Sequence, residues 1–349
     1  MNKISAADII KKLEHYRKDG VIILGPTEQD KNRLRVYING GDIGRISVKD
    51  KISHKILGNR EYLKYLFNKE DKDKVERFIK EAEGKGEDSR YKGEILCDPE
   101  YIVCMKKATN SKFHKCNKNN NYQLVKCERL IETSMISQQG KVENKNGNLL
   151  IYDMEYAIKL PTRPNKRNSK KVKIAKPDFI VFDGENIGIV ELKYNSENMT
   201  NENSIGEHYE DFMDFIWNGT EDKKWKIVGE SITRLKCLKE YGLIDKSWYE
   251  KIEDLDKWYT KYSVGDFDAD RVWVGFYFVE GPRKRKYGQK NYVEKEICKQ
   301  LLEPMKNEKK KNHNTKVLYG YWKDDRNLKM VFDKEIVLDG DNNILFKEL

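Results

Sequence analysis

Between Lys176 and Tyr194 three ionisable side chains, Asp178, Glu191 and Lys193, are set among two strongly apolar runs. Gly184-Glu185 separates those runs and fits a two-residue hairpin loop with glycine first. If Asp183 and Asn186 close the loop, counting outward places Asp178 directly opposite Glu191. Cβ atoms of such a pair lie about 4.5–5.5 Å apart, and like charges there repel unless something positive sits between them. Strand alternation puts Ile187, Ile189, Glu191 and Lys193 on one face, so the Lys193 ammonium is expected beside both acids. Hard oxygen ligands with open coordination positions suit Mg²⁺ or Mn²⁺, which can hold a scissile phosphate and lower the pKa of a bound water. A lysine there can orient or deprotonate that water and stabilise charge developing on the phosphate. The chemistry expected is phosphodiester hydrolysis.

These residues resemble the PD-(D/E)XK nucleases, the restriction-endonuclease-like superfamily. Pro177-Asp178 matches the PD half of the motif and Glu191-Leu192-Lys193 the ExK half. The resemblance implies that Asp178, Glu191 and the backbone carbonyl of Leu192 bind metal, and that Lys193 serves the attacking water. It also implies an α/β fold, restriction-endonuclease-like, with a mixed β-sheet flanked by helices. An acidic residue is implied on the helix before the sheet, where Glu128 and Glu132 are the candidates. Leu124, Cys127, Ile131 and Met135 mark the buried face there; Glu128 projects close to that stripe and Glu132 is turned further away, so Glu128 is expected. The helix after the ExK strand carries Glu207-His208-Tyr209-Glu210-Asp211 where the family commonly shows a glutamine and a tyrosine. His208 is expected to contact phosphate or support the lysine. The resemblance covers about residues 122–217.

Apolar spacing predicts the elements that must position these groups. A helix over 122–138, a strand over 149–160 and a basic loop come first, the groups themselves lie on strands over 172–182 and 187–194, and a helix over 204–217 follows. Further helices are expected over 231–241 and 292–305, and strands over 272–279 and 317–322. The basic loop, Arg163 to Lys176, holds seven Lys or Arg and no acid. Arg163, Lys166, Arg167, Lys170 and Lys171 could therefore track a phosphate backbone, or the loop could simply be solvated. Ahead of this region, residues 1–88 read as a smaller N-terminal α+β domain for recognition or regulation, with a helix over 5–18, strands over 21–24 and 34–38, and a helix over 60–83. Residues 89–121 read as a linker, because 106–121 is rich in asparagine and lysine, and 122–349 as the nuclease domain.

The 349 residues carry a formal net charge of +10, which favours a polyanionic partner. DNA is the expected substrate; an RNA-directed nuclease and a non-cleaving nucleic-acid-binding or regulatory module are the alternatives. A role in restriction or anti-phage defence follows by analogy with the superfamily. Double-strand cutting would call for a homodimer, and a protein activator stays open. No apolar run approaches the ~18 residues of a membrane helix, and the N-terminus lacks a signal-peptide core, so a cytoplasmic protein without a membrane partner is expected. The six cysteines lack regular spacing, so neither a disulfide framework nor a zinc knuckle is expected.

Overall fold

The apolar residues gather into two cores, which divide the chain into two units: Met1–Gly140 with Cys237–Leu243, and Lys141–Lys236 with Ile244–Leu349. The structure, a computed structural model, describes residues 5–26, 32–48, 55–56, 60–83, 95–115, 125–126, 128–139, 149–154, 158–165, 168–194, 204–217, 221–261, 271–280, 290–323 and 330–349. For 55–56, 60, 114–115, 125–126, 138–139, 158–159, 161–165, 168–172 and 221–226 the description is of the backbone alone. Among the described residues no helix is long and apolar enough to cross a membrane.

In the first unit α1 (Ala6–Glu14) opens on a capping box. Ser5 Oγ accepts the Asp8 N–H at 3.1 Å and the Asp8 carboxylate accepts the Ser5 N–H at 3.2 Å, satisfying donors the helix itself leaves open. An antiparallel sheet follows, ordered β1 (Val21–Leu24), β2 (Arg33–Ile38), β3 (Gly41–Ser47) and β4 (Lys55–Ile56). Then come α2 (Lys69–Glu83), α3 (Pro99–Phe113), the pair β5 (His114–Lys115) and β6 (Val125–Lys126), and α4 (Glu128–Gln139). Two differences from the sequence reading stand out. Residues 99–113, expected in a linker, form a helix that buries Tyr101, Ile102, Cys104, Met105 and Ala108; its polar residues are one face of that helix rather than a connection. The unit also extends to Gly140 instead of ending near residue 88, so α4, expected to open the nuclease domain, is counted with it.

The second unit is mixed α/β. Its seven-stranded sheet runs β15 (Ile344–Glu348), β14 (Lys334–Leu338), β13 (Val317–Trp322), β12 (Val272–Val279), β11 (Ile187–Tyr194), β10 (Phe179–Phe182) and β7 (Leu150–Met154). β7, β10 and β11 form an antiparallel meander. β11, β12 and β13 are parallel, and β13 to β15 antiparallel again. Every residue of β11 and β12 is buried, as parallel strands covered on both faces require. The helices are α5 (Ile205–Trp217), α6 (Glu221–Glu240, of which 237–240 are counted with the first unit), α7 (Tyr249–Lys261) and α8 (Lys290–Lys310).

Two long expected strands are broken. Residues 149–160 divide into β7 and β8 (Ile158–Asn165), and 172–182 divide into β9 (Asn168–Ala175) and β10. β8 and β9 pair with each other in a sheet of their own. The basic stretch expected as a loop is therefore largely this hairpin. Pro177, with no N–H to give a ladder, lies in the gap between β9 and β10.

Candidate active site

The β10–β11 hairpin has the register that its turn dictates. Phe182 pairs with Ile187 and Phe179 with Val190, while the Asp183 N–H donates to the Asn186 carbonyl at 3.2 Å. Asp183 Oδ1 accepts the N–H groups of Glu185 and Asn186 at 2.9 and 2.7 Å. Gly184 has φ 108°, a conformation that disfavours side chains at the first position of such a turn.

One step beyond the last strand pair, Asp178 lies opposite Glu191 by count. Its carboxylate oxygen accepts the Leu192 N–H at 2.7 Å, so a side chain continues the ladder and fixes the acid against β11. On the buried face Lys193 Nζ lies 2.6 Å from Glu191 Oε1. Both residues are nearly inaccessible, at 5% and 3% exposure. Glu191 and Lys193 thus meet each other directly, while Asp178 meets β11 at the Leu192 main chain between them.

α5 covers that end. His208 Nε2 lies 3.2 Å from the same Glu191 oxygen. Burial, and then the Lys193 charge, push the His208 pKa down to about 3, so the ring beside the glutamate is neutral, and its Nδ1 is buried without a hydrogen-bond partner among the described residues. His208 thus engages the glutamate, where the sequence reading expected the lysine or a phosphate. Glu207, just before His208, and Asp211, about one turn on, grip Lys173 of β9 at 2.8 and 2.6 Å. Burial pulls the Lys173 pKa down, but hydrogen bonds and charge from Asp211 and Glu207 outweigh it and raise it on balance. Lys173 therefore ties the β8–β9 hairpin to α5.

Lys173, Glu207 and Asp211 were not singled out by the sequence. The available signal was two acids spaced i, i+4 around His208, which places them along one helix face.

Of the remaining expected residues, Glu128 lies at the first position of α4 in the other unit. The group described here is drawn entirely from the second unit. Glu132, the alternative acid, is buried in the first unit and paired with Arg129 at 3.3 Å. Arg129 also donates to the Gly40 carbonyl, which gives Glu132 a structural role. The side chains of Arg163, Lys170 and Lys171 lie outside the described residues, as do Lys166 and Arg167 altogether.

A second polar cluster fixes α6 to β7. Arg234, 2% exposed, lies 3.0 Å from Asp153 and 3.1 Å from Glu230. Tyr152 donates to Ser231 at 2.5 Å. A bulge at Tyr152 shifts the β7–β10 register, which lets adjacent residues of β7 both address α6.

Among the described residues no group of three or more His, Cys, Asp or Glu side chains could hold a metal ion. The set implied by the motif is different in kind: two carboxylates and the Leu192 main-chain carbonyl. These are the hard oxygen donors that Mg²⁺ or Mn²⁺ prefers, so the residues fit the ion chemically. Compared with models of known families, with curated proteins and with solved structures, the chain matches none.

Proposed function

We propose that the second unit is a metal-dependent nuclease of restriction-endonuclease-like fold that hydrolyses DNA phosphodiester bonds. The observation that supports this most is the gathering of Asp178, Glu191 and Lys193 at the end of one hairpin, with two of the three charges buried. Ions without solvent are costly unless paired, and such arrangements concentrate at functional sites. The antiparallel meander, the helix after β11 and the mixed sheet agree with the fold that the motif implies.

Asp178, Glu191 and the Leu192 carbonyl would hold a divalent cation, which supplies positive charge at the phosphate and a more acidic water. Lys193 would orient the attacking water and offset charge growing on the phosphate. His208 holds the Glu191 carboxylate in one rotamer from the helix side. The net charge of +10 draws the polyanion to the protein.

A second reading rests on a specific contact. Glu191 Oε1 is already engaged by Lys193 and His208, as it would be in a purely structural buried pair on a module that binds nucleic acid without cutting it.

Incubation with supercoiled plasmid in Mg²⁺, Mn²⁺ or EDTA, beside the near-isosteric Glu191→Gln, separates the two. The nuclease reading expects nicked or linear product that EDTA and the substitution both abolish while DNA binding persists. Salt-sensitive binding without turnover in any metal would leave the structural pair standing. Parallel digestion of single-stranded DNA and RNA assigns the substrate.

A further inference from the structure

At the opposite end of the same hairpin lies an open cavity of about 570 Å³. Its walls are the turn residues 183–186, Lys251, Asp254 and Trp258 of α7, and Arg271 just before β12. This volume falls within the range of small-molecule sites.

Two cations converge on adjacent residues of the turn. Lys251 Nζ would lie 2.8 Å from a Cβ built on Gly184, so the ammonium rests against the bare α-carbon. Arg271 Nη1 donates to the Glu185 carbonyl at 3.3 Å. Each is oriented by an indole: Lys251 lies 5.1 Å from the Trp248 ring centre and Arg271 5.0 Å from that of Trp258. Stacking fixes a guanidinium while using few of its five donors.

The carboxylates on the wall are mostly spent elsewhere. Asp183 serves the turn with one oxygen and accepts Trp273 Nε1 at 3.0 Å with the other. Asp254 pairs with Lys257 at 2.9 Å, and Glu185 stands at the exposed tip. Among the described residues no acidic side chain forms an ion pair with Lys251 or Arg271. Asp183, Glu185 and Asp254 share this wall but none pairs with Lys251 or Arg271, so two positioned positive charges stand beside the concavity and can take an anion.

We propose that this cavity binds a phosphate group, held between Lys251 and Arg271, with Trp258 and the guanidinium stacked on it offering a flat surface to an attached base. The ligand class is a nucleoside monophosphate or inorganic phosphate, and the inference does not depend on the nuclease reading.

Calorimetric titration of the full chain with adenosine monophosphate, inorganic phosphate and adenosine tests it. The nucleotide is expected to bind saturably, and Lys251→Met and Arg271→Gln each to weaken it about tenfold or more. Lys251→Arg keeps the charge and is expected to retain binding, which separates loss of the cation from loss of the fold. Glu191→Gln is expected to leave the affinity unchanged. Equal affinity for inorganic phosphate and the nucleotide would support the phosphate site and assign the free anion as ligand. Binding of adenosine as tight as that of the nucleotide, affinity unaltered in both neutralised variants, or no binding of either phosphate compound at millimolar concentration overturns the proposal.

Discussion

Lys193 and Glu191 have given up nearly all their hydration, so each depends on the other more than a surface pair would. Lys193→Met should destabilise the second unit by roughly 3 kcal/mol, because Glu191 would keep a buried charge without its lysine. Adding Glu191→Gln should recover much of that loss. Urea unfolding of both single variants and the double closes the cycle, and strict additivity would show that the contact carries no coupling. The cysteines permit a different test. Burial pushes the thiols of Cys104 and Cys237 up to about 11. Both should stay protonated at pH 8 and alkylate far more slowly than in the unfolded chain, with labelling rising as pH approaches 11; mass spectrometry of alkylated peptides reads this directly. At this scale the acid-acid-lysine set was legible because a two-residue turn fixes register by counting. Lys173 was not: within a run of seven basic residues nothing local distinguishes the one lysine that meets two helix acids.

Elements were legible where one local period governed them. β1, β12 and β13 have their expected bounds and α1 ends four residues early, whereas the β7–β8 and β9–β10 breaks were missed although Pro177 in the second gap can give no ladder N–H. β14 and β15 escaped notice as short strands mixing charged and apolar side chains, which become strands by pairing with β13 and with each other. Two substitutions examine how elements are held. Lys173→Ala removes the tie between β9 and α5 and leaves Asp211, 3% exposed, without that cation; a loss of about 2 kcal/mol is expected, with faster amide exchange concentrated in β9 and α5. Gly188 is the cross-strand neighbour of Trp273, and a Cβ there would come within 2.4 Å of the indole. Trp273 is 2% exposed and tethered through Nε1 to Asp183, so the ring has little freedom to yield. Gly188→Ala should cost roughly 1–3 kcal/mol in chemical denaturation.

At the scale of the whole molecule, the expected order of a small domain, a linker and a nuclease domain gives way to two interrupted units. Residues 237–243 belong with the first, where Leu238 and Leu243 are buried and Tyr241 donates to the Val48 carbonyl at 3.4 Å. Composition shifts mark exposed stretches, but they do not reveal that a short segment far along the chain completes an earlier core. A fragment ending at Gly140 should therefore unfold more easily than the same unit in the intact chain, by on the order of 2 kcal/mol for the missing leucines; hydrogen exchange on β1–β3 in both proteins measures the difference. The sheet of the second unit carries a consequence in time. β10 and β11 are joined by a tight turn and β7 reaches β10 across the β8–β9 hairpin, whereas β11 meets β12 only after the chain has passed through α5, α6 and α7. Loop-closure entropy favours the short connections. Asp178 and Glu191 can thus be brought face to face early in folding, while the parallel strand that completes their surroundings arrives late, so for an interval two like charges stand together in water before anything buries them.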